Sequence, residues 1–186
     1  MKKRILILAL AAILVGCAIG GTMAYYTNQA TATNVITAGN IRAELREWAD
    51  LENRIPYADP EEPIMPGEDV TKIVTVENTG DFPAWIRLRF VTTAEGKNIP
   101  TEGELPMLLD VNTEKWLLTD GWYYYDAVLE AGDMATPIFT TVRFDSAMGN
   151  AWQNATFYID VEMQAVQVAN NGDSVLDAAG WPDPNP

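Results

Sequence analysis

The 186-residue sequence contains no histidine and one cysteine, Cys17. The first absence removes the commonest zinc ligand and the commonest general base at neutral pH. No Ser–His pair and no H-E-x-x-H zinc motif can exist. The second excludes an intramolecular disulfide. Basic residues are scarce: 12 Lys+Arg stand against 26 Asp+Glu, for a net charge of −14. Such a surface repels phosphate backbones, which argues against a nucleic acid partner. Acid or divalent cations would relieve the repulsion between copies. Asp50, Asp59, Glu61 and Glu62 and the run Asn170-Asn171-Gly172-Asp173 lack the D-x-[DN]-x-[DN]-G spacing of a calcium loop. They read as solvated acidic surface. Gly-rich phosphate loops are missing too. No catalytic residue, metal ligand or cofactor site is assigned, and the chain reads as non-enzymatic.

Long apolar runs are also missing. The longest, Ile5 to Val15, follows the basic start Lys2-Lys3-Arg4 and is too short for a comfortable membrane span of about 20 residues. It suits the apolar stretch of an export signal. Thr22-Met23-Ala24 places small residues before a cleavage point between Ala24 and Tyr25. Residues 1–24 are therefore expected to be a signal peptide, in contact with a membrane only transiently, and the product is expected to be secreted. Beyond residue 24, nine basic residues oppose 26 acidic ones, leaving −17. A second route is open: Leu14-Val15-Gly16-Cys17 matches a bacterial lipobox, in which Cys17 is lipidated and anchors the protein.

What is present in quantity is period-2 alternation, with hydrophobic residues at 48%, enough for a core. From Ala155 to Ala165, the residues Ala155, Phe157, Ile159, Val161, Met163 and Ala165 fall on one face. Thr156, Tyr158, Asp160, Glu162 and Gln164 fall on the other, which is a strand pattern. Ile86, Leu88 and Phe90 oppose Arg87 and Arg89, which are available to pair with acids on a neighbouring strand. Ile41, Ala43 and Leu45 alternate with Arg42, Glu44 and Arg46. Val70, Val74 and Val76 alternate with Thr71, Thr75 and Glu77, and Ile138, Val142 and Phe144 with Phe139 and Arg143. The runs Trp116-Leu117-Leu118 and Trp122 to Tyr125 add two more strands. The latter is expected to pack the body, not to form a sugar platform, because alternate residues face opposite ways.

Turn signals separate these runs at Pro66-Gly67, Asn78-Thr79-Gly80-Asp81, Asp120-Gly121 and Ala131-Gly132. The pattern predicts an all-β sandwich of two antiparallel sheets, jelly-roll or immunoglobulin-like, over residues 39–169. Ala49 to Pro66 and Glu95 to Pro106 read as surface loops. Residues 170–186 read as a polar tail from which Trp181 could dock back.

Several segments resemble one family. Gly20-Gly21-Thr22-Met23-Ala24-Tyr25-Tyr26-Thr27-Asn28 is similar to the G-G-T-x-A-Y-F-T-D junction of proteins processed by the SipW-type signal peptidase. Ala32-Thr33-Asn34-Val35-Ile36-Thr37-Ala38-Gly39-Asn40-Ile41 resembles A-x-N-x-F-x-A-G-x-L. Pro66-Gly67-Glu68, Val76-Glu77-Asn78-Thr79-Gly80, Ala84-Trp85-Ile86-Arg87 and Asp120-Gly121-Trp122-Tyr123-Tyr124-Tyr125 continue the likeness, which covers most of the chain. The family is the TasA/camelysin class of biofilm-matrix fibre subunits. Asn28 replaces its usual Asp, and Cys17 is an addition.

The resemblance implies a secreted, jelly-roll-like subunit that self-associates into fibres, with or without other matrix proteins. It also implies that residues 25–38 form an arm acting as a donor strand, with Tyr25, Tyr26, Thr27, Asn28, Ala30 and Ala32 as its leading positions. The family's metalloprotease activity is not expected, given the missing histidines. A monomeric surface binding module is the alternative. Mass spectrometry of the exported protein separates the processing routes. The expected first residue is Tyr25, whereas a lipid-modified Cys17 at the N-terminus would establish the anchored form.

Overall fold

A computed structural model describes residues 27–29, 32–34, 41–59, 63–100 and 103–182. Eleven strands are found among them: β1 (Thr27–Gln29), β2 (Ala32–Asn34), β3 (Ala43–Asp50), β4 (Ile55–Pro56), β5 (Asp69–Asn78), β6 (Ala84–Glu95), β7 (Met107–Leu109), β8 (Trp116–Thr119), β9 (Trp122–Tyr125), β10 (Phe139–Phe144) and β11 (Thr156–Gln167). The one helical element among the described residues is a 3-10 turn, Asn150–Trp152. The strands form two sheets packed as a sandwich. The first runs β1-β11-β6-β9-β8, with β2 also on β11, and the second runs β4-β3-β5-β10-β7. Both are antiparallel except where β1 and β2 lie parallel to β11.

The longest ladder joins β11 to β6 over their full lengths, from Thr156 opposite Glu95 to Gln167 opposite Ala84. Its inward row is the alternation read in the sequence: Phe157, Ile159, Val161, Met163 and Ala165 are buried. They meet Val74, Val76, Ile138, Val142 and Phe144 of the second sheet in one core cluster. Ile41, Ala43 and Leu45 also point inward as expected. The β8–β9 hairpin turns on Asp120 and Gly121, with φ of 50° and 78°. Both residues are left-handed, as a tight two-residue hairpin requires, and glycine adopts that conformation without penalty. Asn78, fully buried, holds its turn through Nδ2 donated to the Phe82 and Leu129 carbonyls (both 2.9 Å) while Oδ1 accepts from Gly80 N–H at 3.0 Å.

Three local expectations are corrected. Ile138 and Phe139 do not take opposite environments, since both are buried (0% and 1% exposed). The register shifts between Phe139 and Thr141, and such a bulge re-aims neighbouring side chains. The stretch Ala49 to Pro66 is not wholly surface loop, because β4 pairs with β3 and Ile64 is 1% exposed. Arg87, expected to pair with an acid on a neighbouring strand, is buried and donates to Gln164 and Tyr124 instead. Phe157, enclosed by Phe144 and Trp152 at 5.1 and 5.7 Å between ring centroids, lies at the heart of the core. Phe157→Ala is expected to cost about 3–5 kcal/mol in urea unfolding, because the rigid sheets on either side cannot close the cavity.

Candidate functional site

The N-terminal strands occupy the edge of β11 that β6 leaves open. Thr27, Asn28 and Gln29 pair with Thr156, Phe157 and Tyr158, and Ala32, Thr33 and Asn34 pair with Val161, Glu162 and Met163. The offset is the same in both segments, so β1 and β2 form one continuous register. Parallel neighbours need a long crossover when they belong to one chain, and here the rest of the domain supplies it. The edge therefore receives a strand from the N-terminal part of the sequence, parallel to a strand near the far end of the domain.

The outer face of the same sheet carries a second construction. Trp85, Trp122, Tyr124, Val166 and Val175 form a buried cluster separate from the main core. Arg87 sits within it, its guanidinium carbon 4.2 Å from the Trp122 ring centroid and 4.6 Å from that of Trp181. Its Nε and Nη2 donate to Gln164 Oε1 at 2.9 and 2.6 Å, and Nη1 donates to Tyr124 Oη at 3.0 Å. The buried cation thus meets π faces and neutral acceptors, with no carboxylate in these contacts. Such stacking contributes most where water is excluded. Arg89 behaves as the sequence suggested, pairing with Glu162 at 2.6 Å across the ladder.

Residues 170–182 close over this face as a strap. Trp85 Nε1 donates to the Asn171 carbonyl at 3.1 Å, and Gln164 Nε2 to the Pro182 carbonyl at 3.3 Å. Asn171 ties the strap to itself: its Nδ2 donates to Gln167 and Ala179 carbonyls, and its Oδ1 accepts from Ala179 N–H at 2.8 Å. The run 170–173 is thus a turn whose polar groups serve the strap. Gly172 has φ of +79°, and a Cβ there would lie 2.9 Å from the Asp177 backbone carbon, so both conformation and space demand glycine.

The second sheet holds a buried ion pair. Lys72, fully buried, donates to Glu47 Oε2 at 2.7 Å, with its Nζ 3.8 Å from the Tyr57 ring centroid. Burial holds the Lys72 ammonium below the usual lysine range, while the Glu47 hydrogen bond and the charges of Glu47 and Asp59 oppose that shift. A folded-state value below the unfolded one means the native chain releases this proton first. Stability from this group therefore rises with pH as the lysine range is approached, and the desolvation cost is present in full below it. On the surface, burial alone would raise the Asp110 carboxyl. Hydrogen bonds from Thr140 Oγ1 and N–H and from Thr141 N–H (2.6, 2.8 and 2.7 Å) outweigh it and hold the group low.

Of the residues assigned from sequence, Thr27, Asn28 and Ala32 are brought together on the β11 edge. Cys17, Ala24, Tyr25, Tyr26 and Ala30 lie outside the described residues, as do Glu61 and Glu62. Asp50 is engaged with Asn53 N–H and Nδ2 at 3.0 and 2.7 Å. Among the described residues, no group of three or more His, Cys, Asp or Glu is placed to hold a metal ion. Sequence reasoning did not find the acceptor edge, the Arg87 stack or the Lys72 pair. The signal for Lys72 was visible: it occupies an inward position in the Val70, Val74, Val76 row.

Comparison with protein-family models, with curated proteins and with solved structures returned no match.

Two substitutions test this geometry. Trp181→Ala uncovers one face of Arg87 and is expected to destabilise the strap by about 2 kcal/mol. The measurement is limited proteolysis, with faster cleavage within 170–182 while the far-ultraviolet spectrum stays that of a β protein. Lys72→Met leaves Glu47 without its cation and is expected to cost about 2–4 kcal/mol in urea unfolding. Adding Glu47→Leu should restore most of that loss, because a buried pair replaced as a unit leaves no uncompensated charge.

Proposed function

We propose that this chain is an exported structural subunit of a bacterial cell surface or biofilm matrix, which polymerises by passing its N-terminal arm to a neighbouring copy. One observation carries the reading: residues 27–29 and 32–34 lie as a parallel strand in one register along the edge of β11. Main-chain hydrogen bonds made this way are the same whether the strand comes from its own chain or from another. Residues 35–40 link the arm to the body in sequence. Its transfer makes a head-to-tail contact, and a head-to-tail contact that does not close generates a filament.

Charge supports the same reading. Residues 25–40 contain no Asp, Glu, Lys or Arg, although the whole chain carries −14. An uncharged arm approaches an acidic neighbour without Coulomb repulsion, while the bodies resist unspecific contact. The sequence likeness to biofilm fibre subunits, and the export signal it includes, point to the same compartment. On this reading the protein performs no catalysis and needs no cofactor.

Deleting Tyr25–Asn34 from the mature protein is the direct test. The expected product is soluble and forms no filaments by electron microscopy at concentrations where the intact protein does. Undiminished filaments from the truncated protein would rule out arm transfer. They would leave the surface binding module, with or without a lipid on Cys17, as the better description.

A further inference from the structure

Asn171-Gly172 is the one Asn-Gly pair in the sequence, and the strap requires both residues. Asn171 Nδ2 donates to the Gln167 carbonyl at 2.9 Å and to the Ala179 carbonyl at 3.1 Å, while Oδ1 accepts from Ala179 N–H at 2.8 Å. An aspartate could not take its place, because a carboxylate has no proton to offer the two carbonyls. Glycine is required next, by the φ of +79° and by the Asp177 backbone carbon 2.9 Å from where a Cβ would stand. Gly172 is exposed, and without a side chain its amide nitrogen is open to the Asn171 side chain that precedes it. The fold thus imposes, at the strap's fastening turn, the dipeptide in which asparagine is least shielded from its own backbone.

We propose that Asn171 is a site of spontaneous deamidation, and that the reaction converts the strap from a closed latch into one that no longer closes. The Gly172 nitrogen gives up its proton and attacks Asn171 Cγ. The N–Cγ bond forms, the Cγ–Nδ2 bond breaks, and Nδ2 leaves as ammonia, carrying its own two protons and the one lost by Gly172. Water then opens the five-membered imide at either carbonyl, leaving aspartate or isoaspartate. No electron transfer and no cofactor is involved. Attack needs the amide carbon turned onto the next nitrogen. The three hydrogen bonds fix the amide's orientation, so the reaction is slow while the strap is docked and faster whenever 170–182 opens locally.

The product cannot restore the turn. A carboxylate at 171 sets an oxygen against the Gln167 and Ala179 carbonyls, where two donated hydrogen bonds had been. In the isoaspartate form the main chain runs through Cβ and Cγ, which lengthens the link to Gly172 and disturbs its close packing on Asp177. The new negative charge also joins Asp173 and Asp177 in the same short segment. Loss of the turn frees the Asn171 carbonyl from Trp85 Nε1 and withdraws Trp181 from the Arg87 guanidinium. The aromatic outer face of the first sheet is then uncovered. This inference does not depend on arm transfer, since the strap covers the sheet's outer face and the arm lies on the β11 edge.

Incubation of the full chain at mildly alkaline pH, followed by peptide mapping, tests the site. A gain of about 1 Da is expected at Asn171, roughly tenfold faster in Trp181→Ala, whose strap opens more often. Equal rates in the two proteins, or no gain at Asn171 in either, would overturn the proposal. The latch is tested on the reacted molecules themselves, which anion exchange separates by their added negative charge. Protease is expected to cut 170–182 roughly tenfold faster in that fraction than in unreacted chains of the same preparation. Asn171→Asp should reproduce the effect in freshly made protein. Should that variant fail to fold, the reacted wild-type fraction, folded before it was modified, still decides. A strap equally resistant in reacted and unreacted chains refutes the latch.

Discussion

The ladder between β11 and β6 is the constraint on which the remaining structure depends. It aligns Phe157, Ile159, Val161 and Met163 against the second sheet, and it orients the opposite faces of both strands together. With no histidine, and with its one cysteine near the N-terminus, the chain has neither a zinc–histidine centre nor an internal disulfide to hold its sheets together. Cohesion comes from apolar burial between two sheets that carry a strongly acidic exterior. Within the first sheet, the other features attach to this pair of strands: the arm to one edge, β9 to the other, and the strap across the outer face.

A strand buried on both sides must still satisfy its polar side chains, and β11 and β6 do so jointly. Gln164 and Arg87 are both buried on the outer face and solve the problem together, through two donated hydrogen bonds and aromatic stacking. The strap completes the arrangement by bringing Trp181 over the guanidinium. A charged residue exposed to water in a plain sandwich thus becomes the fastening point for the C-terminal segment. The Lys72–Glu47 pair is the counterpart on the second sheet, where a cation is held beneath Tyr57 at the margin of the core. Both are costly to bury singly and tolerable as units, which ties local charge to overall cohesion.

Much of the architecture was legible beforehand because strand periodicity is a local property. The alternation from Ala155 to Ala165, the Ile41-Ala43-Leu45 row and the Asp120-Gly121 turn each need only a few neighbouring residues to be recognised. Legibility failed where a third element decided the environment. Phe139 looked outward by simple alternation, yet the bulge before Thr141 turned it in. Arg87 and Gln164 looked solvent-facing by the same rule, and the strap covered them. Ile64 lay in a proline-rich stretch with no periodicity to announce its burial.

The amino-acid sequence by itself determined the fold class, the acidic composition, the exclusion of histidine-based chemistry and of an internal disulfide, and the absence of charge from residues 25–40, since all of these follow from composition and short-range pattern. Only the tertiary structure decided which edge receives that arm, which polar residues are buried, and where the C-terminal segment fastens. Those outcomes depend on contacts between residues far apart in the chain, such as Thr27 with Thr156 and Arg87 with Gln164. Their energies appear only once the sheets have brought the partners together and excluded water between them.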